Sequence, residues 1–374
     1  MGLLRTLLAL SVVFNHAAPA ENMLVGGPIA VQCFYLISGF LISYILVERR
    51  SYASIWAFYV NRYIRLYPIY FVVALLSLTA ILTTHLTGFA AVYAAAPTSA
   101  IVLLVFANAF LFGMDWIMFC AVINNKLVFS TNFLDSEIPL YQGQIIRPAW
   151  TLGVELTFYL VAPFILPRRK LIWLLLIASV ALRILFLHLG FGARDPWSYR
   201  FFPTELALFL VGALAHQVLL PAYRKFSSRG QVLAANFATG FLIVTFITYA
   251  MIPLEEISKR LLLYGAVGCL VPLTFLFQQK HRFDGWIGDL SYPIYICHAL
   301  VMWVCMYILG HFRIQDERVL GVASAILSVA LAMSLNRAVA RPFETVRNKF
   351  RSRERSGTKP SGARAIFQDV PARD

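Results

Sequence analysis

The sequence predicts an all-α integral membrane protein, a polytopic bundle of about ten transmembrane helices. Of its 374 residues, 60% are hydrophobic and only 13% are charged. Soluble globular domains average about 45–50% apolar residues. The mean hydropathy is also high, at +0.72, and apolar runs near the ~20 residues needed to cross a bilayer recur along the chain.

Ten apolar runs supply the predicted helices. They are residues 3–18, 29–47, 66–84, 150–166, 171–189, 203–219, 232–252, 261–277, 288–309 and 319–338. The first run is shorter than the ~20 residues of a full span. We therefore expect neighbouring helices to shield part of it from lipid.

Basic residues concentrate in every second link between these runs, which is the pattern of cytoplasmic loops. These residues are Arg49, Arg50, Arg62 and Arg65; Arg168, Arg169 and Lys170; Arg224, Lys225 and Arg229; Lys280 and Arg282; and those of the tail from Arg347. We expect a multi-pass protein of the cell (inner) membrane with both termini in the cytoplasm. Because the net charge of +14 resides in loops and tail, no basic domain is available for nucleic acid.

An additional apolar segment, residues 99–123, is long enough to span, but a crossing there would invert every later loop and break the charge pattern. The segment also contains the polar Asn108 and Asp115. We therefore expect it to be re-entrant or peripheral, followed by a long external loop over 124–149. The transmembrane domain is expected to cover 1–344, with 345–374 forming a basic, disordered tail near anionic lipid.

Two ionisable residues mark the first helix, Arg5 and His16. Eleven positions are close to three helical turns and roughly 16 Å, so both side chains lie on one face. An ionisable group at membrane depth is costly and is by default a functional candidate. A histidine that hydrogen-bonds a neighbouring helix is the alternative, and this stretch alone does not decide between them.

Arg62 and Arg65 begin the third span and share a helix face. Paired guanidinium groups at a membrane surface suit phosphate oxygens, which each can bind through two hydrogen bonds. The alternative is ordinary positive-inside topology, with the arginines reaching lipid phosphate.

A carboxylate, Glu155, follows Trp150 one and a half turns into the fourth span. An unpaired carboxylate at that depth costs several kcal/mol, so we expect a histidine or arginine partner. Ser38, beside Gly39 in the second span, fits either function or close helix packing.

The later spans contain weaker candidates. Tyr292 and His298 lie on the ninth span, where His298 is either structural or substrate-orienting. Arg200 and Glu205 flank the start of the sixth span and suggest a structural pair. The five cysteines have no zinc-site spacing, so we predict no metal centre.

Together, these stretches resemble the membrane-bound acyltransferase-3 family over residues 1–345. The matching stretches, in order, are Arg5 with His16, Phe34-Tyr35-Leu-Ile-Ser38-Gly39-Phe40, Arg62 and Arg65 with Tyr67-Pro68, Trp150 with Glu155, and Ser291-Tyr292 with His298. The resemblance implies an enzyme that transfers an acyl group, commonly acetyl from cytoplasmic acetyl-CoA, to a hydroxyl of a glycan. The expected acceptor is an envelope or secreted polysaccharide, such as an exopolysaccharide, or its lipid-linked precursor.

The same resemblance implies roles for individual residues. Arg5 and His16 correspond to essential residues, and Arg62 and Arg65 to arginines associated with the CoA phosphates. Many members have an acidic residue where this chain has Gln32, which leaves Glu155 as the better candidate to orient His16.

On this interpretation His16 is either a general base for the acceptor hydroxyl or is itself acylated. Trp150, Ser38, Tyr292 and His298 are predicted to orient substrate. A transporter or flippase of lipid-linked sugars that performs no acyl transfer is the main alternative, and a structural membrane subunit is another.

Overall fold

The computed structural model describes residues 1–18, 24–84, 88–192 and 194–351. Its helices are α1 (Gly2–Ala17), α2 (Gly27–Ser43), α3 (Ile55–Thr84), α4 (Phe89–Ala95), α5 (Thr98–Phe110), α6 (Trp150–Ile165), α7 (Arg169–His188), α8 (Phe202–Leu214), α9 (Leu220–Tyr223), α10 (Ser228–Ile247), α11 (Glu256–Lys280), α12 (Arg282–Gly288), α13 (Ser291–His311), α14 (Glu317–Leu335) and α15 (Arg341–Lys349). Two strands are present, β1 (Cys120–Ile123) and β2 (Lys126–Phe129).

Within the described residues, nine continuous helical segments are long and apolar enough to cross a membrane. Several combine neighbouring helices through a single π-helical turn, as α8 does with α9 and α14 with α15. The nine segments coincide with the second to tenth predicted runs. The predicted all-α polytopic fold is confirmed.

The remaining predicted span is α1, whose 16 residues extend about 24 Å. It packs against α2, α12, α13 and α14 inside the bundle, which confirms that protein shields the short first run. Asp284 on α12 fixes its beginning, because the carboxylate accepts the backbone N–H groups of Gly2 at 2.7 Å and Leu3 at 2.8 Å. A carboxylate there satisfies two free amides and complements the helix dipole.

Two glycines bring α2 and α8 into backbone contact. A Cβ on Gly39 would lie 1.9 Å from the carbonyl oxygen of Phe209, and one on Gly212 would lie 1.9 Å from that of Leu36. Gly39 thus serves close helix packing, the second of the two interpretations of the Ser38-Gly39 pair. The adjacent Ser38 is directed elsewhere, into the cavity described below.

The segment 99–123 contains α5, whose 13 residues extend only about 20 Å. A turn at Leu111, with a positive φ of 66°, ends this helix, and the strand β1 follows. β1 pairs antiparallel with β2. The sequence pattern does not predict this hairpin, because each strand has only four residues. Asn108 holds the long loop against α5, donating to the carbonyl of Gly143 and accepting from the amide of Ile145.

The chain remains helical beyond the predicted domain boundary at 344. α15 continues through Lys349 and packs against α3. Residues 352–374, most of the predicted tail, lie outside the described part of the chain.

Candidate active site

Five helices surround a cavity of about 780 Å³ including its open mouth. Its polar lining comes from α1 (Arg5), α2 (Tyr35, Ser38), α3 (Arg62, Arg65), α6 (Thr151, Glu155, Tyr159) and α13 (Ser291, Tyr292, Tyr295). Six residues singled out from the sequence, Arg5, Ser38, Arg62, Arg65, Glu155 and Tyr292, therefore meet in one place.

Arg5 and Arg65 bring positive charge to one end of this cavity, here called the arginine end. Among the described residues, neither guanidinium makes a side-chain hydrogen bond or salt bridge. Their charges act on each other, opposed by Asp289 and Glu155. Two guanidinium groups in a partly enclosed cavity, with all their N–H donors available, are suited to bind an anion.

Arg62 is held more firmly than its two neighbours. Its side chain is 3% exposed, and it donates to the Tyr52 hydroxyl at 2.7 Å and to Oδ1 of Asn61 at 3.2 Å. The guanidinium also lies 6.0 Å from the ring centres of Tyr52 and Phe58. Its Nε is buried without a hydrogen-bond partner in the described structure, so one donor remains available to a ligand.

Glu155 lines the cavity, and its carboxylate joins α2 and α6. The Ser38 hydroxyl donates to Oε1 at 2.7 Å, and the Tyr159 hydroxyl donates to the same oxygen. The expected hydrogen bond from Glu155 to His16 is absent from the described structure. Instead, the carboxylate's charge acts on Arg5 and Arg62, which associates Glu155 with the arginine end.

His16 lies in the last turn of α1 and pairs with His298 of α13. Their ring centres are 5.1 Å apart and the rings are inclined by 36°. His16 Nδ1 lies 2.8 Å from the carbonyl oxygen of Val12, and His298 Nδ1 lies 2.6 Å from that of Tyr295. Because a carbonyl only accepts, each Nδ1 must carry the proton, and each neutral ring presents an unprotonated Nε2.

The two histidines differ in exposure. His16 is exposed, whereas His298 is 1% exposed and its Nε2 has no hydrogen-bond partner in the described structure. Among the described residues, the hydrogen bond of His16 is to its own helix, at Val12. Within the part of the chain that the structure describes, the Nε2 of His16 has no hydrogen-bond partner and can accept a proton.

Tyr295 lies between the cavity and the histidine pair. Its ring lines the cavity, and its centre is 5.8 Å from that of His298. Its hydroxyl donates to the carbonyl of Pro148 and accepts from the hydroxyl of Thr151, both at 3.0 Å. These bonds fix the tyrosine where the cavity meets the histidines.

Trp150 lies on the histidine side of the cavity and is covered by Arg200. The guanidinium is 4.1 Å from the Trp150 ring centre, its charge acts on His16, and it forms two hydrogen bonds to Asp195 at 2.6 and 2.9 Å. The predicted Arg200–Glu205 pair is therefore wrong.

Glu205 instead forms a buried network that includes Gln32. Arg183 donates to Glu205 at 2.6 Å, and Nε2 of Gln32 donates to both carboxylate oxygens. The Tyr264 hydroxyl donates to Oε1 of Gln32. A carboxylate thus lies beside position 32, where many members of the acyltransferase-3 family have an acidic residue, but here it is supplied by Glu205 of α8.

Sequence reasoning missed Tyr159 and Tyr295. A tyrosine in an apolar helix is commonplace, and nothing local distinguishes these two from the others. Tyr292, which the sequence did indicate, donates its hydroxyl to the carbonyl of Leu66 at 2.7 Å and so links α13 to α3.

Membrane-spanning helices, three convergent arginines and an adjoining histidine pair together describe a multi-pass membrane protein with a polar cavity inside its helix bundle. The chain belongs to the acyltransferase-3 family, whose profile, described as an acyltransferase domain, matches residues 1–337. It is therefore a membrane acyltransferase. An uncharacterized protein from Aquifex aeolicus (strain VF5) is 24% identical over 168 residues, which are 44% of this chain and 73% of that protein. No solved structure matches.

Proposed function

We propose that the protein transfers an acetyl group from cytoplasmic acetyl-CoA to a hydroxyl of an envelope or secreted polysaccharide, or of its lipid-linked precursor. The observation that carries this proposal is the cavity lined by three arginines and by Tyr295, whose ring centre lies 5.8 Å from that of His298 in the histidine pair. Membership of an acyltransferase family supplies the reaction class.

The arginine end fits the phosphate groups of an acyl-CoA. The side chains of Arg5 and Arg65 make no hydrogen bond or salt bridge in the described structure, and Arg62 has a free, buried Nε. Each charge-assisted hydrogen bond to phosphate contributes about 1.5–3 kcal/mol. The rise of α1 places His16 roughly 16 Å from Arg5, a span suited to a donor with phosphates at one end and a thioester at the other.

His16 would act on the acceptor. Its unprotonated Nε2 can take the proton of the acceptor hydroxyl as the oxygen attacks the thioester carbonyl. The new C–O bond forms, the C–S bond breaks, and the departing thiolate recovers the proton from the imidazolium. If Nε2 attacks the thioester first, a C–N bond forms as the C–S bond breaks, which gives an acyl-histidine and the CoA thiolate. The acceptor oxygen then attacks the acyl carbon, the C–N bond breaks, and the hydroxyl proton passes to the thiolate.

The remaining polar residues are proposed to position these groups. Ser38 and Tyr159 hold the Glu155 carboxylate, which would keep Arg5 and Arg62 oriented toward the donor. His298 packs against the His16 ring. Trp150, under the Arg200 guanidinium, and Tyr292 would orient the substrates.

Replacing His16 tests this proposal. In nanodiscs supplied with acetyl-CoA and glycan, His16→Ala should lower glycan-dependent release of free CoA thiol by ~10²–10⁴-fold, the usual loss with a general base. His311→Ala is the matched control, since His311 is an exposed histidine in the last turn of α13. A wild-type rate in His16→Ala would refute the assignment.

A further inference from the structure

A second pair of arginines lies next to the arginine end, Arg347 on α15 and Arg351 just beyond the last residue of that helix, Lys349. α15 packs against α3, and Asn61 on α3 donates to the backbone carbonyl of Arg347 at 2.8 Å. This bond fixes the α15 backbone at the position from which the Arg347 side chain extends. Neither Arg347 nor Arg351 lines the cavity itself.

Positive charge dominates the surroundings of both side chains. The charges that act on Arg347 are those of Arg65, Arg62 and Arg351, opposed by Glu344. Arg351 interacts electrostatically with the Tyr52 hydroxyl and with the charges of Arg62, Glu344 and Arg65. Four guanidinium groups thus lie near one another, opposed by the carboxylates of Glu344 and Asp289. No salt bridge joins either carboxylate to any of them in the described structure.

This arginine cluster contains hydrogen-bond donors that have no acceptor. Nε of Arg62 and Nε of Arg347 are both buried without a hydrogen-bond partner among the described residues. Arg62 is also almost completely buried, with 3% of its surface exposed. Buried donors without partners and guanidinium groups held near one another are each unfavourable, and a bound anion relieves both.

We propose that Arg347 and Arg351 join Arg62 and Arg65 in binding a terminal phosphate monoester of the acyl donor, the one carried by the ribose of CoA. This inference rests on the proposed use of acyl-CoA. Arg62 and Arg65, which line the cavity, would also face the donor's pyrophosphate, and Arg347 and Arg351 would bind the additional phosphate from outside the cavity. Planar guanidinium groups suit a phosphate monoester, since each offers two parallel N–H groups to its oxygens.

The headgroup of an anionic lipid has the same phosphate chemistry, so the experiment must separate the two sources. Binding of acetyl-CoA and of 3′-dephospho-acetyl-CoA is measured by titration, in nanodiscs of zwitterionic lipid and in nanodiscs containing anionic lipid. The variants are Arg347→Gln and Arg347→Lys. Lys349→Gln is the matched control, a cation on the same helix that is exposed.

We expect the wild type to bind acetyl-CoA about ten- to a hundredfold more tightly than the dephospho donor, the range for one lost charge-assisted contact. Arg347→Gln should remove most of this preference by weakening only acetyl-CoA binding, Arg347→Lys should keep part of it, and Lys349→Gln should keep all of it. The preference should be the same in both lipids. Thermal unfolding of each variant verifies that it is folded.

Three results would overturn the inference. Wild-type protein that binds both donors equally has no site for the additional phosphate, while acyl-CoA remains its donor. If Arg347→Gln weakens the binding of both donors equally, Arg347 has only a structural role. If its effect appears only in anionic nanodiscs, Arg347 binds a lipid headgroup. Wild-type protein that binds neither donor would refute the proposed function itself.

Discussion

Replacing Arg65 by alanine should weaken donor binding and leave stability unchanged, whereas replacing Arg62 should affect both. Arg65 makes no side-chain hydrogen bond or salt bridge in the described structure, so its removal leaves no partner unsatisfied. Arg62 is 3% exposed and donates to Tyr52 and Asn61. The difference follows from what each guanidinium contacts, although both line the same cavity.

The magnitudes follow from these contacts. Loss of one charge-assisted hydrogen bond, about 1.5–3 kcal/mol, should raise the dissociation constant for acetyl-CoA roughly ten- to a hundredfold in either variant. Arg62→Ala also loses two internal hydrogen bonds at about 0.5–1.5 kcal/mol each, a total of about 1–3 kcal/mol of folding stability. Arg65→Lys should restore binding only partly, because lysine keeps the charge without the planar fork.

The assay combines acetyl-CoA titration with thermal unfolding in nanodiscs. Arg229→Ala is the matched control, an exposed arginine of a predicted cytoplasmic link, and should change neither quantity. Unaltered acetyl-CoA affinity in the Arg62→Ala/Arg65→Ala double variant would refute the reasoning and leave these arginines as markers of membrane topology.

Two further predictions concern the fold. Gly39→Ala should destabilise the protein by about 1–3 kcal/mol or more, the usual cost of overpacking, because its methyl group would lie 1.9 Å from the carbonyl oxygen of Phe209. Gly240→Ala is the control, since the space around Gly240 is open. Equal thermal unfolding of the two variants would contradict the prediction. In a variant whose native cysteines are replaced, an impermeant maleimide applied to intact spheroplasts should label Lys126→Cys in the hairpin and not Arg229→Cys. The reverse pattern would refute the predicted orientation.

The fold was largely predictable because lipid imposes a simple rule on sequence. Runs of ~20 apolar residues become spans, and the charge pattern alone argued against counting 99–123 as a span, where α5 proves to have only 13 residues. The β1–β2 hairpin was not predictable, because its short strands lie in a loop whose course depends on tertiary bonds such as those of Asn108.

The candidate site was predictable where a polar residue interrupts an apolar run, as at Arg5 and Glu155. Arg65 was indicated by its pairing with Arg62 at the start of the third span. The hydrogen-bond partners of these residues were harder to predict, because many of them come from helices distant in sequence. Glu155 bonds Ser38 and Tyr159 in place of His16. A binding role for Arg347 could not be predicted from the sequence, since basic residues in a cytoplasmic tail are expected from membrane topology alone.

In the proposed reaction, thioester cleavage is coupled to acylation of a glycan, and both events can be measured in proteoliposomes. Acetyl-CoA with a labelled acetyl group is supplied on the face that carries Arg229 and the glycan on the other. We predict labelled ester on the glycan in one-to-one proportion with released CoA thiol, both abolished in His16→Ala. Movement of lipid-linked sugar across the membrane with no thiol release would contradict the account and identify a transporter.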